Sequence, residues 1–191
     1  STDKTSELGH RFQRQYPNVF KVVDKANGHY GSCINAGLKL ATGKYVKILD
    51  CDDSFDTEVF DAYIDILNTH DVDLSLTDFK AVDQNGNIVW AVQYPFEPRK
   101  IQSSLDFPLY MSMHAIAYKT QLLKDIGYVQ SEGILYTDQE WIFLPMSNVT
   151  SFMYFDKSLY LYLVERDGQS VDPNVRKKNL WMEIDIVKKQ I

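Results

Sequence analysis

Apolar and polar positions alternate along this chain in a way that interleaves strand-length and helix-length segments. Ser1-Thr2-Asp3 can cap a helix over residues 4–15. Val19 to Asp24 reads as a short strand, and Tyr30 to Ala41 as a helix closed by Thr42-Gly43. Residues 45–50 form an apolar, β-branched run of strand length. Between Asp56 and Thr69, Val59, Phe60, Tyr63, Ile64 and Leu67 share one helical face. Val72 to Val82 predicts a strand. Gln84-Asn85-Gly86-Asn87 is a hairpin turn leading into a strand over Ile88–Val92. Residues 95–107 lack a period. Met111 to Lys119 is strand-like, Thr120 to Gly127 a short helix ended by glycine, and Asp138 to Met146 helical. Phe152 to Leu163 predicts two short strands around Asp156-Lys157, and Pro173 opens a helix that reaches Lys189.

This order predicts an α/β fold, a mixed and mainly parallel sheet with flanking helices, the hairpin making it mixed. At 191 residues the chain is one domain with a sizeable core. It opens directly on a helix, so its first strand has no earlier strand to cross over from. A sheet built this way exposes an edge. The expectation is a domain truncated at its amino end, or one whose edge pairs with a second copy as a homodimer.

Charge and cysteine content narrow the class. A net charge of −6 argues against a nucleic-acid-coating protein. Cys33 and Cys51 have no metal-ligand spacing, so two reduced thiols are expected. No signal peptide and no run of about 18 apolar residues is present, which predicts a soluble domain in the cytoplasm. The lysine-rich end, Arg176-Lys177-Lys178 and Lys188-Lys189, is a solvated helix face or a contact with the inner face of a membrane.

The densest chemistry lies where the run from Tyr45 ends in Asp50, Asp52 and Asp53. Carboxylates crowded at a strand's end repel one another unless a cation sits among them, and oxygen ligands suit a divalent ion. In open α/β sheets ligands bind beyond the carboxyl ends of the strands. A metal carrying phosphates fits both facts. Asp53 followed by Ser54 and Thr57-Glu58 equally suits a plain helix N-cap.

The residues upstream carry a longer pattern. Asn27, Gly28, Gly31, Asn35, Gly37, Leu38, Ala41, Gly43 and Tyr45, running into Asp50, Asp52 and Asp53, resemble the inverting family 2 glycosyltransferases of the GT-A fold. Tyr136-Thr-Asp-Gln-Glu-Trp141 resembles that family's Glu-Asp-x-Glu-(Phe/Trp) segment, with Thr137 in place of the first acid. Asp156 to Tyr162 and Arg166-Asp-Gly-Gln-Ser170 resemble its Tyr-x-Tyr strand and the loop after it. The family ordinarily begins with a strand, a helix and a second strand that have no counterpart here.

The resemblance implies a GT-A-like domain over residues 1–191. Residues 1–53 would be the remaining nucleotide and metal part, 54–171 the acceptor and catalytic part, and 172–191 a terminal helix. It implies transfer of a sugar, expected from a UDP-sugar, to a carbohydrate or lipid-linked acceptor with inversion, in glycan or surface polysaccharide synthesis. Mn²⁺ or Mg²⁺ would be held by Asp52 and Asp50, with Asp53 bracing the loop. Asp138 would be the general base, although Thr137 or Asp138 could simply start a helix. Lys25, Asn27, Gly28, Asn35, Asp50 and Arg166 would face the donor, although Asn-Gly also makes a common turn. His114 and Trp141 would face the acceptor, although a lone His in an apolar strand is ordinarily a core residue. The competing expectation is a catalytically inactive, truncated fragment that serves as an interaction or dimerising module.

Overall fold

The computed structural model describes residues 3–103, 111–164 and 173–190. Two elements precede the sheet: α1 (Thr5–Gln15) and α2 (His29–Leu40). There follow β1 (Tyr45–Lys47), β2 (Ser54–Phe55), α3 (Thr57–Thr69), β3 (Leu74–Val82), β4 (Ile88–Val92) and β5 (Ile101–Ser103). The chain continues with β6 (Ile116–Lys119), α4 (Thr120–Asp125), α5 (Asp138–Phe143), β7 (Ser151–Leu163) and α6 (Pro173–Gln190).

Among the described residues seven strands form one sheet, in the order β1-β6-β3-β7-β2, with β4 on β3 and β5 on β7. The mixed sheet with flanking helices is as expected. Its weighting differs, because β3–β7 is the only parallel ladder between the described strands. β6 runs antiparallel between β1 and β3, so those two strands point the same way without touching.

β3 and β7 form the long centre. Their side chains alternate between faces, as the two-residue strand period requires. Leu74 and Leu76 of β3, with Phe152, Tyr154 and Tyr160 of β7, join Leu38, Leu123 and Trp141 in one core. Met153, Phe155 and Leu159 pack the other face with Tyr63 and Leu67 of α3. The two strands predicted for 152–163 are one strand whose register shifts opposite Asp78, with Asp156-Lys157 taking up the excess.

Three local differences have plain causes. Residues 19–24 form no strand, since no described strand lies beside them; the Val22 N–H donates to Gln13 Oε1 at 2.5 Å instead. β1 stops at Lys47 because the chain turns, the Asp53 N–H donating to the Asp50 carbonyl at 3.1 Å. Residues 113–115 form a 3-10 turn capped by Ser112 before β6 begins. The hairpin stands as predicted, with Gly86 at φ 82° and the Asp83 carboxylate accepting the N–H groups of Asn85 and Asn87.

Candidate active site

The strand directions gather the site. The end of β1 and the ends of β3 and β7 lie at one edge of the sheet, together with the start of the antiparallel β6. Asp50 follows β1, His114 precedes β6, and Tyr160 and Tyr162 end β7. A cavity of about 330 Å³ opens there. Its walls include Asp50, Tyr30, His114, Asp138 and Tyr162.

The aspartate turn is held from β7. The Tyr160 hydroxyl donates to Asp53 Oδ2 at 2.6 Å and accepts the Asp50 N–H at 3.1 Å. The Leu163 N–H donates to Asp53 Oδ1 at 2.8 Å. Asp53 therefore braces the turn, and its N-cap reading falls away, since Asp56 caps α3 by accepting the Glu58 N–H at 3.1 Å. Burial, then the neighbouring Asp53 and Asp52, push the Asp50 carboxyl up to about 6, while the nearby Tyr30 hydroxyl pulls the other way.

His114 is clamped between rings, its centroid 4.6 Å from Tyr162 and 4.7 Å from Tyr160. Its Nδ1 shares a 2.8 Å hydrogen bond with Ser112 Oγ. Burial and then the Lys47 ammonium lower its imidazole to about 4, so the ring is neutral near pH 7. Lys47 Nζ donates to the His114 carbonyl at 2.8 Å, and burial lowers that amine to about 7.

These groups fit a divalent cation. Ligand atoms of Asp50, Asp53 and His114 all lie within 4.8 Å of one another. Two ligands on one ion at roughly 2.0–2.2 Å stand at most about 4.4 Å apart, so a small contraction closes the site. Asp52, expected as the leading ligand, is outside this group, although its charge reaches both Asp50 and Tyr162.

Asp138 opens α5 on a different wall. It is not the cap residue; Thr137 holds that position and makes no side-chain capping bond. Burial raises the Asp138 carboxyl above the usual range, its own backbone N–H and that of Gln139 oppose the rise, and Glu183 adds to it. A raised carboxylate is a stronger base once ionised. Tyr136, two residues earlier, takes φ 62°, an uncommon conformation for an aromatic residue.

What fixes Asp138 is a network that begins on α2. Asn35 Nδ2 donates to the Gln130 carbonyl at 2.8 Å and to Glu132 Oε1 at 2.9 Å, and Asn35 Oδ1 accepts the Gln130 N–H at 2.9 Å. Gln130 Nε2 then donates to the Thr137 carbonyl at 2.7 Å and to Thr137 Oγ1 at 3.0 Å. Asn35, expected at the donor, is thus a buried loop clamp. Gly31 lets the same helix approach, since a Cβ there would meet the Ser131 carbonyl oxygen at 2.0 Å.

The remaining predicted residues divide. Lys25 donates to Ser32 Oγ and the Ala26 carbonyl, both at 2.7 Å; Asn27 accepts the His29 N–H at 3.0 Å; Gly28 is the N-cap of α2. All three build the turn into α2 and are not among the cavity walls. Trp141 cannot stack on a sugar: it is 0% exposed, packed edge-on against Tyr118 and Tyr128. Trp90 and Trp181 are 41% and 53% exposed. Arg166 lies outside the described residues. Sequence reasoning passed over Tyr30, Tyr160, Tyr162 and Gln130. The Tyr-x-Tyr end of β7 was the visible signal for two of them.

The site thus belongs to an α/β domain with acids gathered at the strand ends and a further carboxylate in the wall of the same cavity. The sequence model described as Glycosyl transferase family 2 matches residues 1–127 of the 191, and the chain belongs to that family. It is 24% identical over 192 residues to the minor teichoic acid biosynthesis protein GgaB of Bacillus subtilis (strain 168), covering 98% of this chain and 21% of that protein. The uncharacterized glycosyltransferase YibD of Escherichia coli (strain K12) is 22% identical over 191 residues, covering 94% and 55%. The crystal structure of S. aureus TarS 1-349 in complex with UDP-GlcNAc superposes with a TM-score of 0.68 at 24% identity, covering 88% of this chain and 48% of that one. This likeness establishes the GT-A-type fold. The chain spans about one fifth of GgaB and about half of YibD and of the TarS 1-349 chain.

Proposed function

We propose that this chain transfers a sugar from a nucleotide-diphosphate donor, a UDP-sugar, to an acceptor hydroxyl with inversion. The observation that carries this reading is the single cavity walled by both Asp50 and Asp138. Inversion in one displacement needs a base to take the acceptor proton on one side while charge develops on the departing diphosphate at the other. Asp138 is the base. Asp50, with His114 and Asp53, holds Mn²⁺ or Mg²⁺, and Asp52 adds negative charge at its rim. When bound, such an ion supplies Lewis-acid stabilisation of the leaving diphosphate.

His114 and Tyr162, stacked in the cavity wall with Tyr160 behind His114, hold that side of the cavity, so the carboxylates need little reorganisation. UDP-GlcNAc in the TarS crystal structure supports UDP as the nucleotide. The name of GgaB supports a surface polymer of the teichoic acid type as the setting, with a carbohydrate or lipid-linked acceptor. Among the described residues no helix is long and apolar enough to cross a membrane.

The test is thermal unfolding with UDP and with GDP, each with and without Mn²⁺, followed by turnover of the matching nucleotide sugars. A nucleotide at one hundred times its dissociation constant adds about 2.7 kcal/mol. A shift with UDP that requires Mn²⁺, and UDP release from a UDP-sugar, is the expected result. No response to any nucleotide would favour the interaction-module alternative.

A further inference from the structure

The helix α6 is apolar on two sides. Ile186 is buried on its inner face, with Val175 and Met182 half-buried there. That face rests on the loop leading to Asp138: the Leu135 N–H donates to Met182 Sδ at 3.4 Å, and Lys189 Nζ bonds Ser131 Oγ. Leu180, Ile184 and Val187 recur at the spacing of one outer helical face, with Trp181 beside them, and all four are 44–53% exposed. A helix with a single packed partner carries polar residues on its far side. The outer stripe therefore calls for a second partner.

Charge selects that partner. Lys177, three residues before Leu180, and Lys188, four after Ile184, close the stripe at its two ends, and Lys178 is exposed at its flank. Glu183 takes up Arg176 at 2.7 Å, whereas Lys188, 3.8 Å from Asp185, keeps most of its side chain in solvent. With five basic and two acidic side chains, α6 is net +3 in a chain of net −6. Two copies pairing through this face, parallel or antiparallel, would set lysines against lysines, which is destabilising. An anionic lipid surface satisfies both halves of the pattern. The apolar stripe enters the acyl boundary, the Trp181 ring sits at headgroup level, and the lysine stems reach out to the phosphates. We propose that the outer face of α6 docks the chain on an anionic lipid surface. The contact rests on α6 alone; its use, bringing the Asp138 loop to a lipid-linked acceptor, rests on the glycosyl-transfer reading.

The test is co-sedimentation with vesicles of phosphatidylcholine alone and of equal parts phosphatidylcholine and phosphatidylglycerol, over a salt series. The native chain is expected to bind the mixed vesicles at least about tenfold more tightly, and less so as salt rises. Leu180→Ser with Ile184→Ser, and separately Lys177→Gln with Lys178→Gln, should each weaken that binding by about tenfold or more. All four positions are exposed, so the urea midpoint and the response to UDP with Mn²⁺ should stay as in the native chain. Tryptophan emission should shift to the blue on the mixed vesicles, and Trp181→Phe should remove the shift. No binding to the mixed vesicles, equal binding to both compositions, or binding that survives either pair of substitutions overturns the proposal. So does a dimer in analytical ultracentrifugation that Leu180→Ser with Ile184→Ser dissociates, since a second copy would then own the face. Vesicle binding without any nucleotide response keeps the docking and loses the glycosyl-transfer reading; the reverse result loses the docking alone.

Discussion

Asp138 and Asp50 are both carboxylates pushed upward by burial, yet their neighbours separate their tasks. Asp138 meets backbone N–H groups and the distant charge of Glu183, whereas Asp50 meets two further carboxylates. Asp138→Asn keeps the shape and removes the base, so turnover should fall by about 10²–10⁴ while nucleotide and Mn²⁺ affinity stays within about twofold. Single-turnover kinetics beside calorimetry checks this, and normal turnover would reassign the base. For Asp50 the sign follows from its raised value. The folded chain keeps a proton between 3.8 and about 6 that the unfolded chain releases, so this group's contribution to apo stability declines as pH rises through that window. A cation must displace the same proton. Mn²⁺ affinity should therefore climb up to about pH 6 and level off above it. A titration series from pH 5 to pH 8 that came out flat would contradict a ligand role for Asp50.

The elements that hold Asp138 are α2 and the loop it touches. Gly31→Ala would drive a Cβ into the Ser131 carbonyl at 2.0 Å, a backbone atom that cannot rotate aside. The expected cost is toward the upper end of about 1–3 kcal/mol, read as a lower urea midpoint. An unchanged midpoint would show that the helix and loop are not locked. Here the limits of the sequence are physical. The helices of 30–41 and 56–69 were legible because a 3.6-residue period is local, and the hairpin because Asn85-Gly86 is its own turn signal. The aspartates were legible because like charges at a strand end need a reason. Asn35 and Gln130 are 95 positions apart, and no local pattern encodes their pairing. The burial of Trp141 depended on which way a short helix turns its faces. β2 and β5 are strands only because the long β7 offers them an edge, and residues 19–24 have the composition of a strand without such an edge.

Across the whole molecule, stability should follow contact with the two central strands. β3 and β7 are buried along most of their length and pair on both sides, so their amides open only with the entire fold. α1 buries none of its residues, and Leu8, Phe12 and Tyr16 stay 37–46% exposed. Unfolding α1 alone exposes little further apolar surface, so its opening free energy lies far below the global value. In hydrogen exchange the α1 amides should exchange at least about 100-fold faster than those of β3, a gap of roughly 2.7 kcal/mol in opening free energy. UDP with Mn²⁺ should slow residues 50–53, 113–115 and 136–138 and leave α1 unchanged, since α1 contributes no wall to the cavity. Protection of α1 that matched β3 at every protein concentration would place it in the cooperative core and refute this ordering. Protection that grew with concentration would mean that a second copy covers its apolar face.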